Sequence, residues 1–282
     1  MNKITEEINW IKPPAGFSID LKELWQYREL LYIFSWRDIT SKYKQTIFGF
    51  LWAIVQPLSM MLLFTFFFSG TLNISTDEIP PPIFYFSGLL IWNFFSAAIT
   101  NASNSMVSNG HIIKKIYFPR IILPLAYIFI ALFDFLIAFV IFILLLLFYV
   151  FWSPNFAVSI IEFLYYPLAI LIVILSSFGI GSTLAALNVR FRDVRLMIGF
   201  LVQFLFFLTP VIYPVSIFSR GSLRYLLALN PAASAVKLMR APFVSEAIAP
   251  DFILIGTLTS IGLFLLGVYL FRKAEYYFAD LV

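Results

Sequence analysis

Side chains able to do covalent chemistry are scarce in this sequence. Cysteine is absent and histidine occurs once, as His111, so disulfides, zinc–thiolate sites and thiol nucleophiles are excluded and a histidine metal cluster nearly so. No G-x-x-x-x-G-K-[ST] stretch occurs, because Gly-Lys never appears, and H-E-x-x-H and G-x-S-x-G are missing too. The pattern is that of a chain that is not itself an enzyme, with no cofactor or metal of its own. One carboxylate, Asp134, interrupts a long apolar run. A charge at that depth is costly and normally has a partner or a function. A proton relay needs further ionisable groups at matching depth, and no other expected span holds one. Asp134 therefore reads as protonated or hydrogen-bonded to a neighbouring helix, with proton coupling as the alternative. What remains is amides, hydroxyls and rings in helical register. Gly49, Trp52, Gln56 and Ser59 form one stripe; Gly199, Gln203, Phe206, Phe207 and Pro210 form a second. Amides and hydroxyls seek protein or water rather than lipid. Aromatic faces also pack on sugar C–H surfaces while amides bond hydroxyls. The stripes line a conduit for a sugar-like cargo, or they are ordinary interhelical packing; both readings stand at this point.

The elements that must carry these stripes follow from composition. Hydrophobic residues are 61% of the 282 and charged residues 12%, about half the ~25% of a soluble domain. That excludes a soluble globular enzyme and a disordered chain, and leaves an all-α membrane protein. A span needs about 20 apolar residues. Six stretches are expected to cross: Ile47–Ser69, Ile83–Thr100, Ile121–Trp152, Tyr165–Leu187, Met197–Tyr213 and Phe252–Phe271. The third is too long for one straight crossing and the fifth is short. Fifteen of the 19 Lys and Arg residues fall in 1–46, 101–120, 188–196 and the tail, which six spans place on one side. By the positive-inside rule both termini are cytoplasmic. The net charge of +4 is modest and argues for no nucleic-acid partner.

Residues 1–46 lack the apolar core of a signal peptide and read as a cytoplasmic arm plus an amphipathic interface helix, ahead of a transmembrane domain over 47–282. Asp20 and Glu23 have capping-box spacing. Leu21, Leu24, Trp25, Tyr27, Leu31, Tyr32 and Phe34 share one broad face, with Lys22, Gln26, Glu29 and Arg37 opposite. Segment 214–251 is too apolar for a plain loop. Leu223–Leu229, a turn at Asn230-Pro231, and a helix over Ala232–Met239 stopped by Pro242 read as two re-entrant half-helices on the outer side. Arg220, Arg224, Lys237 and Arg240 are then expected at the outer headgroups.

Several motifs now resemble a known family in order along nearly the whole chain. They are Arg37-Asp38 with Lys42-Tyr43, Gly49, Trp52 and Pro57; Tyr117-Phe118-Pro119-Arg120 with Leu123-Pro124; Asn188-Val189-Arg190-Phe191-Arg192-Asp193-Val194; Asn230-Pro231; and Phe271-Arg272-Lys273 with Glu275 and Phe278-Ala279-Asp280. The chain resembles ABC-2-type permeases, nearest the polysaccharide and polyol-phosphate exporters that move O-antigen, capsule or teichoic acid. The resemblance implies a bacterial cytoplasmic (inner) membrane protein, two copies of which pair with two separate ATPase subunits that bind ATP and Mg. It implies ATPase contact through the N-terminal helix (Arg37, Asp38) and the loop between spans 2 and 3 (Ile112, Ile113, Lys114, Lys115). It implies a path bordered by spans 1 and 5, and an outer gate at Asn230 and Pro231. The cargo so implied is a glycan on a diphosphate lipid. One chain supplies a single copy of each stripe, so a two-fold homodimer is expected to close the conduit. The competing readings are an ABC-2 drug or lipid exporter, a membrane-embedded transferase acting on lipid-linked sugars, and a proton-driven transporter using Asp134.

Overall fold

The computed structural model describes residues 21–44, 51–153, 156–218, 222–244, 249–275 and Phe278. Among these the architecture is entirely helical apart from one isolated bridge between Thr76 and Glu78. The elements are α1 Leu21–Gln26, α2 Arg28–Lys44, α3 Leu51–Phe64, α4 Pro81–Ser108, α5 Gly110–Ile113, α6 Ile122–Trp152, α7 Tyr166–Arg190, α8 Val194–Leu208, α9 Ser222–Ala228, α10 Pro231–Arg240 and α11 Pro250–Glu275. Helix α3 continues as a π-helical stretch, Thr65–Thr71, and a 3₁₀ turn, Ile161–Tyr165, leads into α7.

Five helical segments are long and apolar enough to cross a bilayer: Leu51–Thr71, Pro81–Ser108, Ile122–Trp152, Ile161–Arg190 and Pro250–Glu275. The expected fifth span is instead a shorter helix of 15 residues, α8, about 22 Å long against a hydrocarbon core of about 30 Å. Pro210 explains where it stops. The residue before a proline is driven out of the helical region, and Thr209 takes φ −96°, ψ 129°. The third expected span is one unbroken helix of 31 residues, about 46 Å, consistent with its excess length in the sequence.

Helix α4 runs two turns beyond its expected end at Thr100, because its polar residues have partners. Ser103 and Asn104 donate to the Thr100 carbonyl at 2.8 Å, and Asn188 of α7 donates to the Ser103 carbonyl at 3.0 Å and Asn104 Oδ1 at 3.1 Å. With those groups satisfied, the segment 101–108 stays helical instead of forming a loop. Helix α4 is the hub of the molecule, packed against α6, α7, α10 and the shorter contacts of α3 and α8. Helices α7 and α11 touch along their backbones. A methyl group at Gly179 would overlap the Leu263 backbone, and one at Gly267 would overlap the backbone of Gly179, so this approach requires glycine on both sides.

The amphipathic N-terminal helix is broken at Tyr27 into α1 and α2. Its expected single apolar face divides in two. Leu24, Tyr27, Leu31 and Phe34, at i, i+3, i+7 and i+10, lie against the core, while Trp25, Tyr32 and Trp36 point outward. The expected Asp20 cap lies outside the described residues, as does Gly49 of the first stripe.

Candidate functional site

The largest feature with convergent polar groups is a groove of about 520 Å³ where α2, α3, α4, α6 and α8 meet. Trp52 and Gln56 of α3 form one wall, Asn93, Thr100 and Asn101 of α4 another, and Val202 of α8 a third. The end of α2 and the middle of α6 close it with Lys42, Tyr43 and Asp134. Asp134 is engaged twice: Lys42 Nζ donates to Oδ2 and the Tyr43 hydroxyl donates to Oδ1, each at 2.5 Å. Burial, then the bond to Asp134, raise the Tyr43 phenol above its ordinary pKa, so it stays protonated and donates. Asp134 is therefore hydrogen-bonded to a neighbouring helix, as one sequence reading had it, but that helix is the N-terminal one. Lys42-Tyr43 was visible in the sequence as a motif; its pairing with a residue 91 positions away was not.

The two stripes do not meet as a single surface. Ser59 is exposed on α3 beyond the groove, and Gln203 and Phe207 are exposed on α8. Phe206 turns inward, with its ring 5.2 Å from Trp92 and 6.3 Å from Phe64. Pro210 is buried. The stripe residues that stay open lie on two helices that the rest of the chain leaves uncovered: 6% of the apolar window of Leu51–Thr71 is buried, and α8 buries only Val194 and Ile198.

The opposite end of the molecule is closed by a clasp. Asn230 caps α10 as expected, with Oδ1 accepting from Ala232 N at 3.1 Å and Pro231 in the first turn. Its Nδ2 also donates to Thr209 Oγ1 at 2.9 Å, tying α10 to the end of α8. Arg240 departs from expectation. It is not a headgroup-level cation but is 5% exposed, inside the protein. Its Nη1 donates to the Pro210 carbonyl at 2.7 Å, its Nη2 to the Phe84 and Val211 carbonyls at 3.0 Å, and its carbon centre lies 3.5 Å from the Phe84 ring centroid. A helix starting at Asn230 puts residue 240 against the start of α4, and the unpaired carbonyls around Pro210, which the proline itself cannot serve, draw the guanidinium in. Sequence reading missed Arg240; the only clue was an Arg ten residues into an otherwise apolar, proline-bounded segment.

At the end carrying the basic loops, Arg37 pairs with Asp38 at 2.6 Å and donates to Asn109 Oδ1 at 3.1 Å. The bond to Asp38 is the main reason its guanidinium pKa lies above the ordinary value, against opposing burial. The pair so fastens α2 to the α4–α5 turn. Ile113 is buried and Ile112 half-buried, because the short α5 turns them under the bundle; Lys114 and Lys115 are exposed, and the exposed apolar side chains of this loop are Ile116 and Tyr117. Two motifs far apart in sequence converge here: Arg120 N donates to Glu275 Oε1 at 3.1 Å, Glu275 pairs with Arg272 at 2.8 Å, and Arg120 lies over the Phe278 ring. Among the described residues no cluster of three His, Asp or Glu side chains converges on a metal position.

Comparison with known proteins gives this arrangement its context. Residues 29–244 match the ABC-2 type transporter family. An O-antigen export system permease protein RfbA of Klebsiella pneumoniae is 27% identical over 254 residues, covering 90% of this chain and 95% of that protein. One from Myxococcus xanthus is 31% identical over 233 residues, covering 82% and 86%. The polysialic acid transport protein KpsM of Escherichia coli is 25% identical over 244 residues, covering 85% and 91%. With its family match spanning most of the described helices, this chain belongs to the ABC-2 type transporter family.

Proposed function

We propose that the chain is the transmembrane permease subunit of an ATP-driven exporter that carries a lipid-linked polysaccharide across the bacterial cytoplasmic membrane. The observation that carries this reading is end-to-end likeness to proteins named for O-antigen export and polysialic acid transport. ATP and Mg are bound by a separate ATPase subunit, and this chain supplies the path. Helix α8 together with 209–213 acts as a sixth crossing, which puts the basic loops and both termini on the cytoplasmic side. Helices α1 and α2 lie along the membrane interface, and α9 and α10 dip back from outside.

Two copies face each other across α3 and α8. Apolar helices left open by their own chain are covered by lipid or by a second copy, and the amides Gln56 and Gln203 on those open faces favour protein or water. Trp52, Gln56, Ser59, Gln203 and Phe207 border the path, with Phe206 and Pro210 holding α8 in place behind it. Asn230 and Pro231 set the outer gate, and Arg240 links that gate to α8 and α4. The ATPase docks on the loop after α4, through Lys115, Ile116 and Tyr117, with Arg37 and Asp38 behind.

The test is co-purification with the neighbouring ATPase, reconstitution in liposomes, and measurement of ATP hydrolysis on adding a lipid-linked glycan. Several-fold stimulation by the glycan lipid is expected. Stimulation by a drug or a plain lipid, with none by the glycan lipid, would reassign the cargo.

A further inference from the structure

A second cavity, of about 530 Å³, lies between α5 and the α7–α8 connection. His111 and Lys114 form one wall, Arg192 and Arg195 the other. Among the described residues no salt bridge engages any of the four, and Asp193, though next to Arg192 in sequence, is not part of the lining. Asn188 also lines it; that residue is 4% exposed, and its Oδ1 accepts no hydrogen bond. Three permanent cations and an imidazole around one hollow, without a counter-charge, make a site for an anion with more than one negative charge. The Asn188 oxygen is left for a hydroxyl beside that anion.

The cavity also has a direction. Arg195 lies in the first turn of α8, and from there Leu196, Phe200, Phe204 and Phe207 follow at i, i+4, i+8 and i+11. All four are exposed, between 57% and 80%, while Val194 and Ile198 face inward. An apolar track about 16 Å long therefore begins at the basic rim. A soluble anion has no use for such a track, and a singly charged lipid head leaves most of the cationic charge unanswered.

We propose that this cavity binds the diphosphate head of a lipid whose hydrocarbon chain lies along α8. The proposal deepens the export reading by giving the carrier lipid its docking point, and rests on that reading only for the identity of the cargo. Lys114, expected at the ATPase contact, serves here as a phosphate ligand.

The permease–ATPase complex in nanodiscs of neutral phosphatidylcholine is titrated with geranylgeranyl diphosphate, and binding is read by radioligand retention. The Arg192→Gln/Arg195→Gln double variant should bind on the order of a hundredfold more weakly, and Lys114→Gln, on the other wall, about tenfold. Phe200→Ala should weaken binding several-fold by removing part of the track. Lys273→Gln, an exposed cation at another place, should change nothing. Equal affinity in the double variant overturns the proposal. So does phosphatidylglycerol competing as strongly as the diphosphate lipid, which marks a general lipid site, or inorganic pyrophosphate binding as tightly, which marks a site for soluble anions. Diphosphate-lipid binding that follows these variants while glycan export fails supports the site and reassigns only the cargo.

Discussion

Helices α3 and α4 are neighbours in sequence and both are apolar enough to span, yet 6% of the first one's window is buried against 78% of the second's. The more buried helix is the one richer in polar groups. Ser87, Ser103 and Ser105 lie fully inside, whereas α3 exposes Leu62 and Leu63, and Phe66 follows in the π-helical stretch. In water the order would be reversed, because apolarity drives burial there. In a bilayer lipid tails satisfy apolar surface, so close packing and satisfied polar groups decide which helix goes inside. Helix α4 has those partners in α6, α7 and α10, and α3 has few within its own chain.

Four experiments break or sharpen this contrast, from the largest effect to the smallest. The chain has no cysteine, so single introduced cysteines report cleanly. Gln56→Cys and Gln203→Cys should give inter-protomer cross-links on mild oxidation, and Ile91→Cys in α4 should give none. A dimer cross-linked through α4 and not through α3 or α8 would invert the assignment of inner and outer faces. The next effect tests the packed half. Gly267→Val forces a side chain into the Gly179 backbone and should cost about 3 kcal/mol or more, lowering the detergent unfolding temperature sharply. Gly199→Ala on the open face of α8 meets nothing within 4 Å and should leave that temperature unchanged.

Arg240→Met comes third. It removes a buried guanidinium and strands the carbonyls of Phe84, Pro210 and Val211, at a cost of about 3 kcal/mol. Because that clasp joins the outer segment to α8, ion leakage through idle liposomes should rise along with the loss of stability. A stable but tight variant would separate the clasp from the seal. The smallest effect is at the groove. The Lys42–Asp134 pair has side chains 52% and 26% exposed, so a double-mutant cycle of Lys42→Met with Asp134→Asn should return a coupling of about 1 kcal/mol or less. Export that survives Asp134→Asn would also end the proton-driven reading, whereas its loss with intact ATP hydrolysis would revive it.

Much of this protein was readable along the chain. Five of the long apolar runs became spanning-length helices, because about 20 apolar residues have few other stable arrangements in lipid, where every backbone group must be bonded within its own segment. The cap at Asn230, the first-turn Pro231 and the stop near Pro242 were legible too, since they act within a few residues of themselves. Family membership followed from motifs kept in order. Tertiary structure decided the rest. It broke the interface helix at Tyr27, carried α4 past Thr100 on bonds from Asn188, drew Arg240 inward, and gave Asp134 a partner from the N-terminal helix. Each of these depends on a group supplied by a distant segment. Local pattern records what a residue needs, a donor, a charge or a close neighbour, while only the folded chain determines which residue meets that need.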